Sequence, residues 1–162
     1  MTQKQAEFIE KLVQAHQLKL QRIATHLTND EWTAADLTQE VFEAASRKVE
    51  ELMEHPTIEK WLIRALVYQI KNEFFRAYRR YEVPDSQIEA ITEPELPLPL
   101  ELILPKELTE KEREILIMRL EARMEYARIA RQLHISEAAC RKRMERALKH
   151  CEALLKKDAK EF

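Results

Sequence analysis

Not one glycine occurs in the 162 residues of this chain. Glycine reaches positive φ without a steric cost and lets backbone approach a ligand closely. Its absence removes the phosphate-cradling loop, the dinucleotide fingerprint and the nucleophile elbow, each of which needs Gly where the chain turns sharply. Most glycine-dependent nucleotide enzymes are thereby excluded. Asn-Gly and Asp-Gly hairpin turns are excluded too, and no stretch alternates with period two for long. What remains is an all-α chain, with length for one large domain or two small ones. Hydrophobic residues make up 45% and charged residues 35%, enough for a core under a solvated surface. Apolar runs of only a few residues exclude a transmembrane span. The first residues form no apolar signal segment, so a cytoplasmic protein without membrane contact is expected.

Hydrophobic spacing sets out the helices. Ile9, Leu12, Val13, His16, Leu20, Ile23 and Leu27 recur at threes and fours, one stripe of an amphipathic helix. Asn29 and Asp30 mark a break, and Thr33 is the expected cap of a second helix with Leu37, Val41, Phe42 and Ala45 inward. Pro56 closes that segment. A third helix is expected from Thr57 to about Arg80, burying Trp61, Leu62, Ala65, Leu66, Ile70 and Phe74. Five of the six prolines then fall between Val83 and Pro105. Proline blocks helix continuation, so a largely extended linker is expected, with a reach of about 60 Å in polyproline geometry. Its leucines need a surface, either the protein's own domains or a partner's channel. Beyond it, Thr109 and Glu112 form a capping-box pattern opening a helix. A short helix follows from about Glu125 to Leu133, then a turn at His134-Ile135-Ser136. Ser136 caps a last helix whose apolar stripe is Cys140, Met144, Leu148, Cys151 and Leu155.

The formal net charge of −2 hides a block arrangement. Residues 1–59 carry a balance of −5, residues 60–80 of +5, residues 81–103 of −6 with no Lys or Arg, and residues 104–157 of +5. Screening at physiological salt acts over about 8 Å, so a nucleic acid responds to each block rather than to the sum.

Two patterns carry chemistry. Two short helices joined by a tight turn, the second rich in Arg, have the form of a helix-turn-helix whose second helix enters the major groove. A basic surface helix of a plain bundle has the same pattern. The second is the end of the third helix, where Phe74, Phe75, Tyr78 and Tyr81 alternate with Lys71, Arg76, Arg79 and Arg80. Rings stack on unpaired bases while cations follow the backbone. Phe74 belongs to the core, and one or two of the other rings are expected to be exposed. His134, Cys140, His150 and Cys151 lack metal-ligand spacing, and the cysteines lie on an apolar stripe, so core cysteines and no metal site are expected.

With these residues in view, the chain resembles the bacterial RNA polymerase sigma factors of the extracytoplasmic-function type. Asp36-Leu37-Thr38-Gln39-Glu40-Val41-Phe42 is close to the D-L-x-Q-E-V-F signature of that family. Trp61-Leu62 with Arg64 and the Arg79-Arg80 end is similar to its W-L-x-R helix. Leu104-Pro105 and Glu112-Arg113-Glu114-Ile115-Leu116 match its L-P…R-E-x-L segment. Glu125-Tyr126-Ala127-Arg128-Ile129-Ala130 resembles S-Y-E-E-I-A apart from three positions, and Leu133-His134-Ile135-Ser136 resembles L-G-I-S. Family members usually have Gly where this chain has His134 and Arg123, and often Asn where it has Tyr68.

The resemblance implies an N-terminal helical domain over residues 1–82, the acidic linker over 83–103, a helix-turn-helix domain over 104–157 and a tail over 158–162. By similarity, Asp36, Gln39 and Glu40 dock on the clamp helices of the polymerase largest subunit. Asn72, Phe75, Arg76, Arg79 and Arg80 meet the separated minus-ten element. Ser136, Glu137, Ala138, Arg141, Lys142, Arg143 and Arg146 face the minus-thirty-five major groove. The linker would occupy the RNA exit path, its carboxylates standing in for RNA phosphates. The implied partners are core RNA polymerase, including its flap, promoter DNA, and the anti-sigma factor that proteins of this type commonly have. No enzyme activity, catalytic residue or cofactor is expected. Two other readings stay open at the level of sequence: a helix-turn-helix regulator that binds duplex DNA without polymerase, and a protein that docks on polymerase without promoter function.

Overall fold

The computed structural model describes residues 1–82 and 92–162; the first part of the expected linker, 83–91 with Pro84, lies outside the described residues. All regular structure among the described residues is helical, so the fold is all-α. The helices are α1 Gln3–Thr28, α2 Glu31–Arg47, α3 Val49–Met53, α4 Ile58–Glu82, α5 Leu100–Ile103, α6 Glu110–Leu116, α7 Tyr126–Leu133 and α8 Glu137–Asp158. The chain forms two compact units, residues 1–76 with 161–162, and residues 77–160. The last turn of α4 therefore belongs to the second unit.

In the first unit α1 begins at a capping box, in which Thr2 accepts the Gln5 amide at 3.1 Å and Gln5 accepts the Thr2 amide at 3.0 Å. It ends at Asn29, which turns the chain at φ 56°. The expected cap of α2 is corrected here: Asp30, not Thr33, accepts the Trp32 amide at 3.1 Å. A carboxylate suits the positive end of the helix dipole better than a hydroxyl does. Thr33 instead donates its hydroxyl to Asp30 at 2.6 Å. The core joins Leu12, Leu20 and Ala24 of α1 to Leu37, Val41, Phe42 and Ala45 of α2 and to Trp61, Leu62, Ala65, Leu66 and Ile70 of α4. Each such large side chain contributes about 1.5–3 kcal/mol on burial. Thr38 is the one buried polar residue among those described, and its hydroxyl is satisfied by the Ala34 carbonyl at 2.8 Å.

The second unit packs α6 and α7 against α8. The capping box at Thr109 forms as the spacing predicts, with Thr109 accepting the Glu112 amide at 3.2 Å and Glu112 the Thr109 amide at 3.0 Å. After Leu116 the helix widens into a π-helical turn over Ile117–Glu121, which the hydrophobic spacing did not reveal. The linker expectation is corrected in part. Residues 100–103 form the helical turn α5 rather than extended chain, and Leu100, Ile103, Leu104 and Leu108 are buried. Their apolar surface stabilises the helical turn within the protein's own core. Cys140 and Cys151 lie buried on the α8 stripe. Among the described residues no helix is long and apolar enough to cross a membrane.

Candidate nucleic-acid interface

The turn between α7 and α8 is built without glycine. His134 ends α7 at φ 56°, ψ 42°, and Arg123 enters the preceding turn at φ 54°. Left-handed backbone costs a non-Gly residue roughly 1–2 kcal/mol, and His is among the better tolerated. Ser136 then caps α8 by accepting the Ala139 amide at 3.1 Å. From that cap the helix divides into two faces. Cys140, Met144, Ala147, Leu148 and Cys151 face the core, while Glu137, Ala138, Arg141, Lys142 and Arg146 are exposed and Arg143 is half-buried. Arg141 is positioned twice over. Its guanidinium lies 4.4 Å over the Tyr126 ring of α7 and 3.4 Å from Glu137. With 58% of its side chain exposed it keeps donors for another acceptor.

On α2, Asp36 and Gln39 are exposed and Glu40 is half-buried. Their spacing puts them on one face of the helix, with Gln39 donating to Glu43 at 3.4 Å. Glu40 also lies 4.0 Å from Arg76, which pairs more closely with Glu73 at 3.2 Å.

The α4 aromatics differ from expectation. Phe74, Phe75 and Tyr78 are all buried, and Tyr81 alone of the four keeps partial exposure. Phe75, expected to meet DNA, is 2% exposed and packs edge-on to Phe74 at 5.3 Å. Burying such rings is worth more than displaying them to water, so three of the four serve the core and Tyr81 is the ring that meets the expected exposure in part. Asn72 is half-buried, and Arg76 and Arg80 are exposed.

Within the second unit, Arg79 is held by two carboxylates of α8, its Nε 2.5 Å from Glu152 and its Nη1 3.2 Å from Glu145. Beside it lies a polar cluster that sequence reasoning missed. Glu82 accepts from Arg119 at 2.6 and 3.0 Å, from the Tyr126 hydroxyl at 3.0 Å, and from the Tyr78 hydroxyl. Arg119 also donates to the Met124 carbonyl at 2.9 Å and the Tyr78 oxygen at 2.9 Å, and its guanidinium lies 4.4 Å from the Tyr126 ring. Burial works to raise the Glu82 carboxyl, but the hydrogen bonds from Tyr78 and Arg119, with the charge of Arg119, hold it below the usual carboxylate range. Burial first, and then the charge of Glu82, push Tyr126 up to about 12. Arg119 and Tyr126 stand 37 and 44 residues from Glu82, so no local pattern could have signalled those two partners. A cleft of about 390 Å³ opens on this cluster, lined by Arg79, Glu82, Tyr126, Arg141 and Glu145.

Comparison with known families gives two matches. Residues 12–81 match Sigma-70 region 2, and residues 106–151 match Sigma-70, region 4. No curated protein matches the chain.

Proposed function

The chain belongs to the sigma-70 family of RNA polymerase sigma factors, of the extracytoplasmic-function type, and from that premise we propose how its residues divide the work. A sigma factor serves promoter recognition and transcription initiation, with core polymerase and promoter DNA as partners. It is a DNA-binding initiation factor, not an enzyme.

The α8 ridge enters the minus-thirty-five major groove. Arg141 and Arg146 read base edges or phosphate, Lys142 and Arg143 follow the backbone, and Ser136, Glu137 and Ala138 face the groove at the helix start. The observation that carries this reading is the exposure of Arg141, Lys142 and Arg146 opposite a fully apolar core face. Asp36, Gln39 and Glu40 dock on the clamp helices of the polymerase, an acidic face suited to a basic partner, and the flap takes the region-4 domain. Asn72, Arg76, Arg79 and Arg80 contact the separated minus-ten strand. Phe75 contributes by holding the helix in place unless α4 repacks on DNA, and Arg79 must leave Glu145 and Glu152 to take part. Preference for separated strands over duplex shifts the promoter toward the open state.

The acidic linker follows the RNA exit path through the part that precedes α5, since Leu100, Ile103 and Leu104 are committed to the protein's own core. The protein works in the cytoplasm, and an anti-sigma factor is its expected regulator. The test is retention of the full chain on immobilised core polymerase. Asp36→Lys with Glu40→Lys should abolish retention, while Arg141→Ala should leave it intact. Specific, tight binding to promoter duplex without polymerase would instead favour a stand-alone regulator.

A further inference from the structure

The stripe of α4 that starts at Trp61 is occupied. Trp61, Arg64 and Tyr68 fall at spacings of three and four on one face, and against them sit Glu161 and Phe162, which belong to the same compact unit. The Arg64 guanidinium meets the Glu161 carboxylate as a fork, Nη1 to Oε1 and Nη2 to Oε2, each at 2.6 Å. The Trp61 indole N–H donates to the Glu161 carbonyl at 3.3 Å. The Phe162 ring lies 5.5 Å from Trp61, edge-on at 76°, and 5.8 Å from Tyr68 at 36°. Arg64 caps the same ring at 5.9 Å. The Trp61 indole donor, the Arg64 fork and the rings of Trp61 and Tyr68 are thus all met by two successive residues.

We propose that Trp61, Arg64 and Tyr68 form a peptide-docking site that takes a carboxylate followed by an aromatic ring, and that residues 161–162 are its resident occupant. The fork selects the carboxylate, because two parallel N–H donors match its two oxygens. The slot between Trp61 and Tyr68 selects a ring by edge-on and tilted packing, worth about 0.5–1.5 kcal/mol per pair beyond area. The indole donor fixes the backbone between them. The ion pair is solvent-exposed, with 61% and 44% of the two side chains accessible, and exposed pairs contribute little. The occupant is therefore held chiefly by its ring and is releasable. A partner segment with the same two groups would compete for the site.

Trp61 reports on occupancy directly. It is 3% exposed, whereas the other tryptophan, Trp32, is 84% exposed, so Trp32→Phe leaves Trp61 as the sole indole in a folded chain. Acrylamide quenching of that chain should rise about twofold or more on Phe162→Ala and on Arg64→Glu, as expected when a covering segment opens. Pairing Arg64→Glu with Glu161→Arg should restore protection. An amide-capped peptide of residues 156–162, added to the Phe162→Ala chain, should also restore it; a version with Gln for Glu161 should restore it less, and a version with Ala for Phe162 should not. Unchanged quenching in both single variants, no rescue by the charge swap, or equal action of all three peptides would each overturn the proposal. None of these readouts depends on transcription.

Discussion

Removing the Arg119 guanidinium tests the energetics of the second unit. Arg119 and Glu82 are 14% and 20% exposed, so an Arg119→Met chain leaves a nearly buried carboxylate with only the Tyr78 and Tyr126 hydroxyls as partners. Removal of one member of a fully buried pair costs roughly 3–5 kcal/mol. The remaining hydroxyl bonds and the exposed fifth of Glu82 lower that to about 2–4 kcal/mol. With a urea dependence of about 1–3 kcal/mol per molar, the midpoint should fall by roughly 1–2 M. The assay is urea unfolding of the full chain read by hydrogen exchange at α7 and α8 amides. Adding Glu82→Leu removes the stranded charge, so the double variant should recover at least about 1.5 kcal/mol relative to the sum of the single effects. The pH dependence has a fixed sign. The folded carboxyl of Glu82 lies below its unfolded value, so its contribution is present above the unfolded pKa and is lost as pH falls through the folded one. Arg119→Met should shrink that acid-dependent loss. A cost below about 0.5 kcal/mol, with acid sensitivity unchanged, would refute the reasoning.

Other outcomes follow from single features. His134→Gly should stabilise the chain by about 0.5–1 kcal/mol, because relief of left-handed strain exceeds the added freedom of the unfolded chain; thermal unfolding reads it. Glu145→Gln with Glu152→Gln should release Arg79 and strengthen binding of a single-stranded minus-ten oligonucleotide roughly tenfold, about one charge-assisted contact; fluorescence anisotropy measures it. Arg141→Ala should lower transcription from a cognate promoter about tenfold or more, the value of one well-placed base contact, in run-off assays with core polymerase held constant.

The helices were legible because their signals are local. The stripe from Ile9 to Leu27 gave α1, and the capping box at Thr109 gave the start of α6. The spacing between Leu133 and Ser136 marked a turn, and its αL residue at His134 was signalled by the resemblance, since the family usually has Gly there. What the sequence concealed depends on contacts between distant residues. Glu82 read as the first carboxylate of an acidic run, yet its charge is answered by Arg119 across the fold. Phe75 was expected to meet DNA, yet it is buried. The docking of Glu161 and Phe162 on α4 joins residues about a hundred positions apart, beyond any periodicity.

The most direct test of the central claim is run-off transcription by core polymerase with the purified chain on a promoter library randomised around minus ten and minus thirty-five. The account predicts transcripts whose templates share two sequence blocks at fixed separation. It further predicts loss of the upstream block's influence when Arg141, Arg143 and Arg146 are replaced by Ala. Absence of core-dependent initiation, or initiation indifferent to those three arginines, would contradict it.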